Sequence, residues 1–217
     1  MMKMINCPNR GKNCTECNLE DSFMEESTGV IRSGNLMVYP TDTLYGLGAD
    51  PFNDNAVKKV FIAKNRPFDM PLSIAVSDSR MLESIAVMND SARKLIDRFL
   101  PGPLTVLLTK KPSISDLLTS GENLIGIRIP DHPFALRFIR MVGPITSTSA
   151  NLHASPNPVD IRKPKKEFGE LVNCYVDCGK TKCAAPSTIV DISEGEVEIV
   201  RPGIITKEEI DNALAGR

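Results

Sequence analysis

Residues 38–50 read VYPTDTLYGLGAD: a short apolar run meets a proline, then hydroxyls around an acid, then an aromatic and Gly-x-Gly. The preceding NLMVYP, 35–40, has the apolar and aromatic content of a strand. Pro40 ends it, because a proline has no N–H to give a ladder. The helical pattern DNAVKKVFIAKN, 54–65, follows, with Ala56, Val57, Val60, Phe61 and Ala63 on one face and Asp54 near the N-cap. A strand that dissolves into polar groups and then yields to an amphipathic helix indicates an α/β sheet. Gly46 and Gly48 suit close backbone approach to an anion. GLGADPF lacks the third glycine of a dinucleotide fingerprint, however, and the chain has no GxxxxGK[ST] loop, so these glycines alone do not define a nucleotide site.

The alternation continues outward from this stretch. MPLSIAV at 70–76, PGPLTVLLTK at 101–110 and NLIGIRIP at 123–130 read as strands, and NDSARKLIDRFL at 89–100 and HPFALRFIRMV at 132–142 as amphipathic helices. PITSTSAN at 144–151 is a strand ending in hydroxyls, and NCYVDCG, PSTIVDI and EVEIVRPG are further strands. Thr206 and Glu209 form a capping box for a last helix. No long linker or repeat interrupts residues 19–217, which read as one domain: a twisted mixed sheet with flanking helices. Residues 1–18 are polar and read as a loop-like N-terminal extension.

Composition bounds the function. The 217 residues carry a formal net charge of −1 with 24% charged side chains, so any anion site must be local. No apolar run reaches a membrane span and no signal-peptide core is present, which makes a cytoplasmic protein the expectation. Cys14 and Cys17 have metal-ligand spacing, but Cys174, Cys178 and Cys183 supply no second CxxC, and reduced thiols are the simpler reading. The two histidines, His132 and His153, sit in no triad or metal motif.

Polar groups recur at strand ends, where open α/β sheets build their sites: PTDT at 40–43, IRIP at 127–130, STSAN at 147–151 and RPG at 201–203. AKNRP, 63–67, adds Lys64 and Arg66 at a helix C-terminus, where cations are also favoured without any ligand. Arg128, flanked by apolar residues, needs either an acidic partner or an anionic ligand. Arg201 also suits a solvated turn, and Thr41, Thr43 and Ser147–Asn151 also suit turns and caps. Cations with hydroxyl and amide donors, lacking a nucleophile–base pair, fit phosphoryl or nucleotidyl transfer, with Mg²⁺ sharing the charge.

YPTDTLYGLGAD, AKNRPFDMPLSI, LPGPLTVLL, IGIRIPDHP, TSTSAN, PSTIVDI and RPG, in this order across residues 28–205, resemble the YrdC-type threonylcarbamoyl-AMP synthases. The resemblance implies a twisted α/β sheet around a large, concave, locally basic cavity. It also implies condensation of L-threonine, bicarbonate and ATP into L-threonylcarbamoyl-AMP with release of pyrophosphate. The product would serve a downstream complex that modifies an adenosine of tRNA. By position, Thr43 and Arg128 would hold threonine, with Ser147 and Ser187 lining the same pocket. Lys64 and Arg66 would be the catalytic cations on the ATP phosphates, Ser149 and Asn151 would lie near the α-phosphate, and Arg201 would meet the nucleotide. Mg²⁺ would arrive with ATP, and no protein-held metal is implied. The chain departs from the family pattern at Met70, Ala75, Leu124 and Asn157, and it resembles the short, single-domain form. The competing readings are an RNA-binding module, for which RKPKK at 162–166 offers weak tRNA contact, and carbamoyl transfer to another acceptor.

Overall fold

A computed structural model describes residues 2–8 and 20–216. Its elements in chain order are β1 (Lys3–Asn6), α1 (Asp21–Arg32), β2 (Met37–Tyr39), β3 (Gly46–Gly48), α2 (Asp54–Lys64) and β4 (Ile74–Ala75). There follow α3 (Ser79–Ile85), α4 (Asp90–Phe99), β5 (Leu104–Thr109), α5 (Asp116–Thr119), β6 (Leu124–Arg128), α6 (Pro133–Val142), β7 (Ile145–Thr146) and β8 (Thr148–Ser149). The chain closes with α7 (Arg162–Phe168), β9 (Cys174–Asp177), β10 (Thr188–Asp191), β11 (Glu198–Arg201) and α8 (Lys207–Leu214).

The fold is mixed α/β with flanking helices, as the sequence implies, but its strands divide between two sheets. The first has the order β1-β9-β2-β3-β8 and the second β11-β10-β5-β6-β4-β7. Both are mixed: β1, β9 and β2 run parallel while β3 and β8 are antiparallel to their neighbours. In the second, β10 is parallel to β5, β6 to β4, and the remaining pairs are antiparallel. Sequence periodicity reports which residues are apolar, not which strand they meet, so the division was not legible from the pattern.

Alternate residues of one strand feed different cores, as the pleat requires. Val38 joins a cluster that spans both sheets, with Leu47, Ile74, Val106 and Ile127, and with Val57, Val60 and Phe61 from α2. Its neighbours Met37 and Tyr39 instead meet Met24 and Ile31 of α1 and Phe134, Phe138 and Ile139 of α6. On α6 these apolar residues recur at helical spacing, Pro133 fills the first turn, and the His132 ring nitrogen accepts the Phe134 N–H at 3.2 Å. The cap of α2 is Asn53, whose side chain accepts from Asn55 and Ala56, rather than Asp54, which sits in the first turn.

Two local features differ from the sequence pattern. Lys3–Asn6, read as loop, is a strand paired in parallel with Cys174–Asp177; Ile5 enters one core and Met4 packs against the other, too short an alternation to declare itself. Arg162–Phe168, which includes the RKPKK run, is helical, with Pro164 and Phe168 burying one side. Cys14 and Cys17 lie outside the described residues, so their metal-ligand spacing has no structural account. Among the described residues Cys7, Cys174 and Cys183 carry free thiols, and no helix is long and apolar enough to cross a membrane.

Candidate functional site

The chain crosses from one sheet to the other within Ile145–Ser149. Thr146 belongs to the second sheet, Thr148 to the first, and Ser147 lies between them. The crossing is pinned on both sides: Thr146 donates its N–H to Ala49 O at 2.9 Å, and Ser147 donates to Ser73 O at 2.6 Å. A cavity of about 280 Å³ opens where the sheets meet, on the scale of a small-molecule site. Its wall holds Thr43, Arg66, Arg128, Ser147, Ser149, Ser187 and Arg201, which brings together seven of the nine residues singled out in the sequence.

Arg128 stands at the end of β6, buried, and every nitrogen of its guanidinium is engaged. Nη2 donates to Asp42 Oδ1 at 2.5 Å, Nη1 to Thr43 Oγ1 at 2.5 Å and Nε to Gly102 O at 3.1 Å. The guanidinium thus has the acidic partner that its place in an apolar strand demands, and it still forms part of the cavity wall. Thr41 sets the loop that delivers these groups. Its hydroxyl donates to Leu44 O at 2.6 Å and accepts the N–H groups of Thr43 and Leu44. That is the turn-forming role the sequence left open for Thr41, while Thr43 is turned onto Arg128.

Arg201 reaches from β11 to donate to Ser187 O at 2.8 Å and to its hydroxyl at 3.2 Å, and that hydroxyl pairs with Thr105 Oγ1 at 2.8 Å. Gly203 explains the end of the RPG stretch: a Cβ there would stand 2.4 Å from Thr188 N and 2.5 Å from Ser187 C. Arg66 is held open by backbone, its Nε donating to Met70 O at 3.0 Å and Nη2 to Pro71 O at 2.9 Å. Burial lowers the pKa of Arg66; burial and then the charge of Arg128 lower that of Arg201. The wall carries three guanidiniums and no carboxylate, which makes it a receiver for anions.

Lys64 and Asn151 are not brought into the wall. Lys64 is buried behind it, donating from Nζ to Asn151 O at 2.7 Å and to Ser149 O. It thereby ties the end of α2 to the STSAN turn. Burial, then the charge of Arg66, pushes its ammonium down to about 7, with Glu167 opposing. Asn151 donates to Ser155 O at 2.7 Å, while its Oδ1 is buried and has no partner.

The glycines of the opening stretch serve packing. A Cβ on Gly46 would stand 2.9 Å from Tyr39 Cζ, and one on Gly48 would stand 3.1 Å from Tyr39 Cε1. The phenol ring lies across β3, and the bare backbone makes room for it, while Gly46 also lines the cavity. Burial first raises the Tyr39 pKa to about 12.

Sequence reasoning missed Ser73, Thr105 and Asp42. Ser73 and Thr105 line the cavity, and each is a hydroxyl set in an apolar strand run, MPLSIAV and PLTVLL, which is the signal that could have found them. Asp42 stands in the opening stretch, but its partner Arg128 lies 86 positions away, beyond the reach of any local pattern. Of the departures from the family pattern, Asn157 lines the cavity, Met70 contributes a carbonyl to Arg66, Ala75 lies beside Arg128 in register, and Leu124 stands at the far end of β6.

Comparison with known proteins identifies the family of this fold. Residues 29–203 match the Sua5/YciO/YrdC family model, described as telomere recombination. A putative threonylcarbamoyl-AMP synthase of Methanocaldococcus jannaschii is 42% identical over 180 residues, covering 83% of this chain and 85% of that one. One of Mycobacterium tuberculosis is 36% identical over 202 residues, 93% of each chain. The crystal structure of Pyrococcus abyssi Sua5 complexed with L-threonine superposes with a TM-score of 0.89 at 35% identity, covering 97% of this chain and 60% of that longer one.

Proposed function

This chain belongs to the Sua5/YciO/YrdC family, and from that premise we propose that it is an L-threonylcarbamoyladenylate synthase. It condenses L-threonine, bicarbonate and ATP to L-threonylcarbamoyl-AMP and pyrophosphate. The observation that carries the reading is the cavity wall itself: Arg66, Arg128 and Arg201 among hydroxyls, with no carboxylate in the wall.

Threonine amine and bicarbonate combine with loss of water to a carbamate. A carbamate oxygen then attacks the α-phosphorus of ATP in line, the bond to the β-phosphate oxygen breaks, and pyrophosphate leaves. The nucleophile belongs to the substrate, so the protein's task is to orient and neutralise. Arg128 holds the threonine carboxylate through the N–H groups that its three protein contacts leave over, with Thr43, Ser147 and Ser187 alongside. Arg66 meets the phosphates. Arg201, fixed by Ser187, lies on the nucleotide side with Ser149. Lys64 fixes the Ser149–Asn151 carbonyls from behind the phosphate side.

The wall offers Mg²⁺ hydroxyls and an amide but no carboxylate, and no group of three metal-ligating side chains occurs among the described residues. The protein's donors therefore do not build a Mg²⁺ site; the ion enters as part of the nucleotide, and no step is assigned to it. The product supplies a tRNA-modifying complex. Incubation with ATP, Mg²⁺, bicarbonate and single amino acids tests the proposal: pyrophosphate release should require threonine and bicarbonate together. Equal release without threonine, or with any amino acid alike, refutes it.

A further inference from the structure

Asp42 lies outside the cavity wall, yet it is the acid that binds the residue most central to it. Both side chains of the pair are 8% exposed, so neither is rearranged freely by water. Asp42 is itself held from two other segments. Its Oδ1 accepts the Asp131 N–H at 3.1 Å, and its backbone carbonyl accepts the Cys183 N–H at 3.1 Å. Asp131 follows β6, and Cys183 lies in the connection between β9 and β10, so one stretch of chain holds the Asp42 carboxylate and another holds its backbone.

A guanidinium is a planar fork whose donors point in fixed directions. With Nη2 on Asp42, Nη1 on Thr43 and Nε on Gly102, its plane is fixed before any ligand arrives. Without Asp42, a hydroxyl and a carbonyl remain, and neither brings a countercharge into this buried place. We infer that Asp42 is a positioning residue: it sets the plane of Arg128 so that the remaining donors face the cavity, and it touches no substrate. The inference rests on the threonine role given to Arg128 above.

A carboxylate so near an anion site also opposes the incoming threonine carboxylate by charge. Orientation and charge thus predict different rankings of variants. Asn keeps an acceptor at the Oδ1 position and removes the charge, whereas Ala removes both. If orientation governs, Asp42→Ala raises the threonine KM about tenfold, the scale of one misdirected charge-assisted hydrogen bond, and Asp42→Asn raises it about threefold at most. The ATP KM and the kcat at saturating threonine should stay within about twofold, a split that general loss of structure does not produce. In an Arg128→Lys background the Asp42→Ala effect on threonine should vanish, because the two act as one unit.

Should Asp42→Ala fail to fold, Asp42→Ser, with room for a bridging water beside the guanidinium, takes its place. Threonine KM unchanged in the Ala or Ser variant, ATP and threonine KM rising together, or additive effects with Arg128→Lys would each overturn the inference. Wild-type protein assayed in parallel separates the two claims. Its failure to use threonine removes the proposed function, whereas normal wild-type use with an indifferent Asp42 removes only the positioning role.

Discussion

Single residues decide this site by what they exclude as much as by what they contact. Gly46 is the clearest case. A methyl group there meets Tyr39 at Cζ, Cε1 and Oη, all within 3.1 Å, and the ring is wholly buried with nowhere to retreat. Gly46→Ala should therefore cost about 1–3 kcal/mol, as overpacking does in a well-filled core. Urea unfolding checks this, and a variant as stable as wild type would show that the ring has slack. The sequence showed the glycine but not the reason for it, since Tyr39 and Gly46 meet across a hairpin. Arg128 was legible as a charge in an apolar strand that needed a partner. Asp42 was visible in the same motif, but nothing in a one-dimensional pattern joins an acid to a base 86 residues away.

At the scale of elements, α6 carries a titration that bears on stability. His132 caps the helix through a neutral ring nitrogen that accepts the Phe134 N–H. Burial, the largest influence, lowers its pKa from 6.5 to about 4, with Asp42 opposing and Lys182 assisting. The unfolded chain therefore binds a proton that the folded chain refuses between about pH 6.5 and 4. Stability rises with pH across that window and falls as acid is added. His132→Asn keeps a good cap and removes the titration. Thermal melts from pH 7 to 4 should show a shallower acid decline for Asn than for wild type; parallel curves would refute this. The long amphipathic helices α2, α4 and α6 were legible because their apolar faces repeat over several turns. Strands of two to four residues, such as β1, β4 and β7, were only partly so, because a period of two needs more residues than they have.

For the whole molecule, the order of strands separates stability from chemistry. β1 closes the edge of the first sheet against β9, and β2 and β3 then stand between β9 and β8, which carries Ser149. Removing residues 1–8 takes away Ile5, buried against the second core, and the ladder to Cys174–Asp177. The melting temperature should fall by about 5 °C, given ~2 kcal/mol for one buried aliphatic side chain in a domain of this size. The KM values for threonine and ATP should stay within about twofold. An intact melting temperature, or a loss of substrate affinity at equal stability, would contradict this ordering.

The crossing at Ile145–Ser149 has a consequence for how the molecule comes into being. The cavity takes residues from Thr41 to Arg201, and its walls come from both sheets. The ladders that bring them there are themselves distant in sequence: Thr188 lies beside Leu104, and Met37 beside Cys174. Helices form from neighbours within microseconds, whereas such pairings wait on the closure of long loops. A chain with only one sheet assembled would have only part of this wall. Competence to bind is therefore expected only when both sheets have docked and Ser147 is fixed between the two.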